Sequence, residues 1–333
     1  MSIHSLGDLA QSFVSRRQTA TLKQQMTRLT GELSSGRTTD VTRHLKASFG
    51  QLSDIEHQLR LQQGYRTATA EAAGATAAMQ SALGIIHDRT TELAGAGTLA
   101  GTNAAGIATD GVATLARGVL DAVVGALNTA VGGRSLFAGT EFDRAPLPAG
   151  GAVLSAARAA LGGASDAAGI TAALDAFFGA GGGYETALYQ GNTEDAGPFR
   201  LGAGESVRLS IRADDEVFRG VMKSAVLATL ADDPALDAGT RRDLLGQATD
   251  GLFAQADRLN AVRADLGHTE ERIERSSVRI ASELTGLDYA RGQLLAVDPF
   301  DAATELENVQ FQLEALYAVT ARAARLNLVN FLS

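Results

Sequence analysis

The sequence contains no cysteine and no tryptophan, and only five of its 333 residues are proline. Without cysteine the chain can form neither a disulfide nor a cysteine-ligated metal site. Proline interrupts helix interiors, and none occurs before Pro146. Pro146, Pro148 and Pro198 fall in the middle of the chain, and only Pro234 and Pro299 follow. This spacing predicts a helical arm, an irregular middle and a second helical arm.

Three further features argue against particular classes of function. No run of 18 apolar residues occurs, so we expect no membrane insertion. The first residues lack a basic segment followed by an apolar one, so we expect no cleaved signal peptide. The net charge of −9 disfavours nucleic acid as a partner. Charge is also uneven, with an excess of basic residues in 1–66 and of acidic residues in 298–333.

What the chain does contain is a strong helical repeat. Apolar residues make up 45% of it but aromatic residues only 5%, a composition that suits closely packed helices. A heptad repeat of apolar residues predicts a helix that is held along its whole length. The sequence shows such a column without a miss at Leu252, Leu259, Leu266, Ile273, Ile280, Leu287 and Leu294.

The first half of the chain has a similar pattern. Apolar residues spaced three and four apart predict one helix across residues 65–93 and another across 112–130. Between them lie Gly95, Gly97, Gly101 and Gly106, which predict a turn.

Both ends of the chain carry their own apolar stripes, which predict terminal coiled-coil helices. Asp298 followed by Pro299 is a typical helix start, with an N-cap and proline at the first helical position. A pair of such helices with solvent-exposed outer faces is marginally stable. We therefore expect the pair to become fully ordered only when neighbouring subunits cover it. The predicted assembly interface is Leu6, Leu9, Phe13, Leu22, Met26, Leu29, Leu33, Leu306, Val309, Leu313, Leu316, Leu328, Phe331 and Leu332.

The middle of the chain, 141–220, differs from both arms. It is rich in alanine and glycine, with two short helical patterns and a glycine loop at 179–184. Alternation of Val207, Leu209 and Ile211 predicts a half-buried strand. The fold class predicted is therefore mainly α: an elongated helical rod with coiled-coil termini and a small α+β insert domain.

No group of residues resembles an enzyme site. The five histidines are scattered, and none are paired at metal-ligand spacing. The glycine loop lacks the Gly-Lys-Ser/Thr ending of a phosphate loop, and Ser135 lacks the Gly-x-Ser-x-Gly setting of a nucleophile elbow. The acidic cluster at 213–216 has no general base beside it. We therefore predict no enzyme activity, catalytic residue, cofactor or metal.

Several motifs resemble the flagellin superfamily, and in particular its hook-associated junction proteins. "LSSG" at 33–36 looks like the end of the family's N-terminal helix, and "GRSLFAGT" at 133–140 looks like its Gly-Arg-x-Leu-Phe-(Ala/Ser)-Gly motif. "ALYQGN" at 187–192 and the C-terminal segment 298–333 complete the match. After Gly36 the chain departs from the flagellin pattern Arg-Ile-Asn-Ser and reads Arg-Thr-Thr-Asp, which favours a junction protein over a filament subunit.

This resemblance implies a mechanical role in the bacterial flagellum, at the junction between hook and filament. The implied partners are flagellin, the adjacent hook-associated junction protein, further copies of the chain in a ring, and a flagellar export chaperone. Such a protein would be extracellular, secreted by the flagellar type III export route without a cleaved signal. We expect the motif residues Gly133, Arg134, Leu136, Phe137 and Gly139 to be structural, with Leu136 and Phe137 plugging the apolar end of the rod where the insert begins.

The expected domain organisation follows from these patterns. It comprises an N-terminal assembly segment (1–60), outgoing rod helices (61–140), the insert (141–220), returning rod helices (221–297) and a C-terminal assembly segment (298–333). Two other functions are compatible with the sequence. One is a flagellin filament subunit, and the other is a coiled-coil signalling rod.

Overall fold

The structure is a computed structural model that describes residues 3–46, 49–102 and 108–332, although the side chains of 3–9, 11, 102, 108–109 and 323–332 are not described. The prediction of a mainly α protein is confirmed. The helices are α1 (Ile3–Ser35), α2 (Val41–Leu45), α3 (Phe49–Thr102), α4 (Ala108–Leu127), α5 (Gly150–Ala159), α6 (Ala167–Phe178), α7 (Glu216–Leu230), α8 (Ala238–Leu294) and α9 (Pro299–Leu332). The strands are β1 (Ala130–Val131), β2 (Arg134–Ser135), β3 (Phe199–Gly202) and β4 (Glu205–Val207), and a short π-helix spans Tyr184–Leu188.

The chain divides into two compact units. Unit 1 consists of the described residues within 1–63 and 282–333, and unit 2 of those within 64–281. The long helices α3 and α8 contribute residues to both units. The segment 141–220, which the sequence predicts to be a separate insert, lies within unit 2. The bounds of the five predicted segments stay predictions.

Unit 2 holds the main hydrophobic core. A single cluster joins buried residues of α3, α4, α5, α6, α7 and α8 with residues of the loops between them. Phe137 and Phe218 meet edge to face in it, with ring centroids 6.3 Å apart. The middle segment therefore shares its core with the long helices on either side of it in sequence.

The burial of the heptad column changes along α8. Leu252, Leu259, Leu266, Ile273 and Ile280 are all buried, whereas the last two members of the column are half-buried. Ser276 of α8 is also buried, and its hydroxyl donates to Glu205 Oε1 at 3.0 Å. This hydrogen bond anchors the start of β4 to α8.

The predicted turn at the glycines after residue 94 is wrong for three of the four. Gly95, Gly97 and Gly101 lie inside α3, which continues to Thr102, and Gly106 lies outside the described residues. The reason at Gly97 is close packing, because a Cβ built there would stand 2.3 Å from Thr249 Oγ1. Glycine at this position brings the two helices together and does not end one.

We expect Gly97→Ala to destabilise unit 2 by about 1 kcal/mol, although alanine normally favours a helix. The methyl group would force the Thr249 hydroxyl out of its 2.8 Å bond to the Leu245 carbonyl. Gly74→Ala is the matched control on the same helix, because a Cβ there meets nothing within 4 Å; it should stabilise by roughly 0.5–1 kcal/mol.

Urea denaturation of both variants measures the contrast. Adding Thr249→Ala to Gly97→Ala should recover most of the loss, because the clashing hydroxyl is gone. A Gly97→Ala variant as stable as Gly74→Ala would contradict the close-packing explanation.

The predicted strand across residues 207–211 is shorter in the structure. β4 ends at Val207, which pairs with Phe199 as the last rung of the antiparallel ladder. The residue just before β3 is Pro198, which has no N–H to donate to a further rung. Leu209 is buried and Ile211 half-buried, so their side chains keep the predicted alternation without a ladder.

Candidate assembly surface

Unit 1 is built around the pair of terminal helices, α1 and α9. Leu29 of α1 is 1% exposed, and Ala302 and Val309 of α9 are similarly buried. Arg28 bridges the helices by an ion pair of 3.5 Å to Glu305. The two helices run antiparallel, with the start of α9 beside the end of α1.

A short backbone pairing fixes where these helices meet. α1 ends at Ser35, and Gly36 takes a φ of +66°, a left-handed value that glycine adopts without strain. The next residues then pair with the segment before α9. Thr38 N–H donates to the Leu295 carbonyl at 2.9 Å, and Val297 N–H donates to the Gly36 carbonyl at 3.1 Å.

The expected start of α9 is present in the structure. Asp298 Oδ1 accepts a hydrogen bond from Phe300 N–H at 2.8 Å, directly after the pairing described above. Pro299 is the first residue of the helix. The carboxylate also interacts favourably with the positive end of the helix dipole.

A buried carboxylate, Glu32, lies beside this pairing. It is 3% exposed and forms a 2.6 Å ion pair with Arg28. The Thr39 N–H and hydroxyl donate to its Oε1 at 3.0 and 3.1 Å, and the Thr38 hydroxyl does so at 3.3 Å. Burial alone would raise the pKa of Glu32, but the Thr39 and Arg28 donors outweigh it and lower the pKa below its ordinary value.

These contacts give Thr38 and Thr39 a structural role. Thr38 and Thr39 supply hydroxyl donors to a carboxylate that sits inside unit 1, so the segment 37–40 is held by Glu32. Sequence reasoning noted the two threonines but missed Glu32. The signal in the sequence that could have identified Glu32 was the presence of an acidic residue on the apolar side of α1, next to Leu33.

Away from this buried end the helix pair opens. None of the described side chains at positions 10, 12–28 or 310–322 is buried. Between the helices lies an open apolar groove of about 810 Å³. The groove is lined by Phe13, Val14, Arg17, Gln18, Thr21, Leu22, Gln25, Phe311, Gln312, Ala315, Leu316 and Val319.

The structure divides the predicted interface residues into three groups. Leu29 and Val309 are buried within the pair, whereas Phe13 is 67% and Leu33 40% exposed. The half-buried members are Leu22, Met26, Leu306, Leu313 and Leu316. Five others lie where side chains are not described: Leu6, Leu9, Leu328, Phe331 and Leu332. The role of the whole set in assembly stays a prediction.

Three large, exposed apolar residues of the groove were absent from that set. Val14, Phe311 and Val319 are 52%, 73% and 64% exposed. They fall outside the three-and-four spacing that marks the seam between α1 and α9. The sequence signal for these residues was their position directly beside the apolar stripe that forms the seam. Apolar side chains that are so exposed in one chain suit contact with another chain.

The second predicted motif, at 133–140, lies in unit 2 and begins with a β-hairpin. β1 and β2 pair antiparallel, with Val131 opposite Arg134. Gly132 and Gly133 form the two-residue turn with φ of +60° and +79°, as a type I′ turn requires. The Arg134 guanidinium lies 4.4 Å from the centroid of the Phe142 ring.

The rest of the motif is held by backbone contacts. Phe137 is fully buried and its carbonyl accepts from Ala213 N–H at 2.9 Å, while Leu136 is half-buried against the same core. Asn192 N–H donates to the Ala138 carbonyl at 2.9 Å. Gly139, with φ of +63°, lies so close to residues 192 and 194 that a Cβ would fall 2.3 and 2.4 Å from their carbonyl oxygens. The motif therefore joins the segment 187–192 to the acidic cluster at 213–216 inside unit 2.

In the glycine loop at 179–184, a backbone N–H is bonded to a carboxylate of the same chain. Gly181 N–H donates to Glu185 Oε2 at 2.7 Å, and Glu185 also pairs with Arg219 at 2.9 Å. Among the described side chains, no three His, Asp or Glu residues are placed to hold a metal ion. Across residues 3–46, 49–102 and 108–332, no helix has both the length and the apolarity needed to cross a membrane.

Comparison with protein families gives a match at the end of the chain. Residues 249–332 match the C-terminal helical region of bacterial flagellin. This range takes in most of α8 and all of α9, the helix that lines the groove. Comparison with curated proteins finds no match.

Comparison with solved structures gives the fold. A protein of Bacillus cereus, FlgL, has a TM-score of 0.52 at 13% identity, covering 72% of this chain and 100% of that one. A protein from Vibrio parahaemolyticus assigned as a flagellar hook-associated protein has a TM-score of 0.50 at 14% identity, covering 73% of this chain and 95% of that one. Because the sequence identity is so low, these similarities establish a shared fold alone.

Proposed function

We propose that this chain, a flagellin-like protein that carries the C-terminal helical region of bacterial flagellin at residues 249–332, is a structural subunit of the bacterial flagellum. Within the flagellum it acts as a hook–filament junction protein and joins a hook-associated protein to the flagellin filament. The similarity of fold to FlgL and to a hook-associated protein supports this role. Its action is mechanical, and it catalyses no reaction.

The observation that carries the proposal is that the helix pair of α1 and α9 buries only part of its apolar surface. A stable lone domain would bury its apolar helix faces, yet this pair leaves Phe13, Phe311 and Val319 more than half exposed along an open groove. Surfaces of this kind mark contact with other proteins. The function therefore requires neighbours on this pair.

The neighbours follow from the same surface. The pair contacts the adjacent hook-associated junction protein, flagellin and further copies of this chain in a ring. An export chaperone covers the same apolar residues before secretion by the flagellar type III route. The protein then functions outside the cell. The absence of cysteine suits an exported chain, because no disulfide can form before passage.

Deletion of the coding sequence in the native cell tests the proposal. We expect loss of swimming, intact hooks and flagellin shed into the medium, and full recovery with the wild-type chain supplied in trans. Normal filaments in the deleted strain would overturn the junction role.

The match of residues 249–332 to flagellin favours a second candidate, a filament subunit. Seeded assembly of the purified protein separates the two functions. A filament subunit grows long filaments from seeds under electron microscopy, whereas a junction protein does not. Long filaments of this chain alone would favour the second candidate.

A further inference from the structure

From the arginines around the hairpin of β3 and β4 we infer a second binding surface on this chain, a site for an acidic polysaccharide. We call the set Arg200, Ser206, Arg208 and Arg272 the arginine site. It lies wholly within unit 2 and shares no residue with the groove between α1 and α9. The choice of ligand rests on the proposed function, which places the chain outside the cell, where such polymers occur.

The hairpin turns two of these arginines to the same side. Arg200 of β3 lies directly opposite Ser206 of β4, so their side chains share one face. Leu201 and Val207, on the other face, are buried against α3 and α8. The alternation continues past the end of β4, so Arg208 is exposed on the same face as Ser206. Arg200 and Arg208 are therefore diagonal neighbours, roughly 7–8 Å apart.

A third arginine reaches the same place from α8. Arg272 is exposed, and its Nη2 donates to the Ser206 carbonyl at 3.2 Å. Among the described residues, no carboxylate lies within ion-pair distance of Arg200, Arg208 or Arg272. Three guanidinium groups and a serine hydroxyl thus lie together at the surface, and their charge calls for an anionic partner.

Carboxylates also lie beside the arginine site, and most of them are bound by other groups. Glu205, which precedes Ser206 on β4, accepts hydrogen bonds from two side chains of α8. Asp215 lines a cavity of about 240 Å³ beside Arg208 and accepts from a backbone N–H at 2.9 Å. Asp265 lines the same cavity and forms no ion pair with a described residue. The site is therefore positive on a chain whose net charge is −9.

Further arginines extend the positive charge along α8. Arg272, Arg275 and Arg279 recur at steps of three and four, so they line one side of the helix over about 10 Å. The ion pair of Arg275 with Glu271 is long, 3.7 Å, and both groups are exposed, so it stabilises little. A row of cations beside a cluster of three suits a flexible chain that carries repeated anionic groups.

The surroundings favour a polysaccharide over a nucleic acid. Single-stranded nucleic acids stack their bases on aromatic side chains. The outer face of the hairpin segment, at positions 200, 206, 208 and 210, presents only arginine and serine. Guanidinium groups form two-point hydrogen bonds with carboxylates and with tetrahedral oxyanions. The ligand is therefore a sugar polymer that bears carboxylate or sulfate groups.

Isothermal titration calorimetry of the full-length protein at low salt tests the inference. Heparin is the sulfated probe, alginate the carboxylated one, dextran the neutral control and poly(dT) the nucleic acid. Arg200→Ala combined with Arg208→Ala should weaken binding of heparin or alginate by roughly tenfold or more, because two cations of the site are lost. Asp265→Asn should strengthen binding, because it removes a carboxylate beside Arg208.

Arg158→Ala combined with Arg242→Ala is the matched control. It lowers the net charge by the same amount at exposed positions of α5 and of the first turns of α8, and it should weaken binding by about twofold or less. Arg200→Gln combined with Arg208→Gln repeats the test with longer polar side chains. Circular dichroism should show wild-type helix content for every variant, because the substituted arginines form no ion pair among the described residues.

Each outcome decides the inference. It is overturned if the two alanine pairs weaken binding equally, because net charge alone would then explain the effect. It is also overturned if the wild-type chain binds neither heparin nor alginate, or binds dextran as tightly. Tighter binding of poly(dT) than of both polysaccharides would make the site one for nucleic acid and would overturn it too.

The proposed function fails by a separate result. In the deleted strain, Arg200→Ala combined with Arg208→Ala should restore swimming as the wild-type chain does, because α1 and α9 are unchanged. Loss of the contrast between the two alanine pairs overturns the polysaccharide site, whereas normal filaments in the deleted strain overturn the junction role.

Discussion

Gly139→Ala should destabilise unit 2 by about 4 kcal/mol. The added methyl group would stand 2.3 and 2.4 Å from the carbonyl oxygens of Asn192 and Glu194, and backbone atoms cannot rotate away. The φ of +63° adds further strain for any residue with a Cβ. Relief would break the bonds of Asn192 N–H to Ala138 and of Thr140 N–H to Glu194. Urea denaturation followed by circular dichroism measures the loss.

Gly133→Ala provides the matched control within the same motif. Its φ is also positive, at +79°, but a Cβ there meets nothing within 4 Å. We expect a loss of about 1–2 kcal/mol, the conformational cost alone. If the two variants were equally stable, the close contact of residues 139, 192 and 194 would not be what holds the motif.

Glu32→Gln should destabilise unit 1 by about 2–4 kcal/mol. The change removes the 2.6 Å ion pair and leaves Arg28 without its buried partner. It also turns an acceptor of the Thr38 and Thr39 donors into an amide. Glu305→Gln is the control, because that ion pair is longer, 3.5 Å, and exposed; its loss should cost less than 1 kcal/mol.

The pH dependence of unit 1 should follow from the same carboxylate. The pKa of Glu32 is lower in the folded chain than in the unfolded one, so ionised Glu32 stabilises the fold fully above the unfolded value of about 4.3. That contribution is lost as the pH falls through the folded pKa. We expect the stability gap between wild type and Glu32→Gln to be constant from pH 7 to 5 and to shrink below about pH 4. A gap that grows on acidification would contradict this assignment.

The helices were predictable because their signals are local and repeated. The column from Leu252 to Ile280 is buried without exception, and Asp298 caps α9. The predicted turn at Gly97 failed because a single sequence cannot show that a glycine faces Thr249 of a distant helix. The predicted strand end failed for a similar reason, since the partner strand β3 begins only at Phe199, directly after Pro198.

The candidate surface was predictable in part. The seam between α1 and α9 follows three-and-four spacing, which is why Leu29 and Val309 were found. Phe311 and Val319 lie beside that seam, and their importance appears only when the partner helix leaves a groove next to them. Glu32 was missed because its hydrogen-bond donors, Thr38 and Thr39, lie beyond the turn that follows α1. Contacts across a turn leave no periodic pattern in the sequence.

Amide hydrogen exchange of the free and the assembled protein tests the central claim, that α1 and α9 are completed only by neighbouring molecules. In the free protein we expect the amides of 12–27 and 310–322 to exchange much faster than those of the buried α8 column, because none of their side chains is buried. In hook–filament junctions, or in associated copies, the same amides should become slow. Slow exchange of both segments in the free chain, unchanged on assembly, would contradict the account.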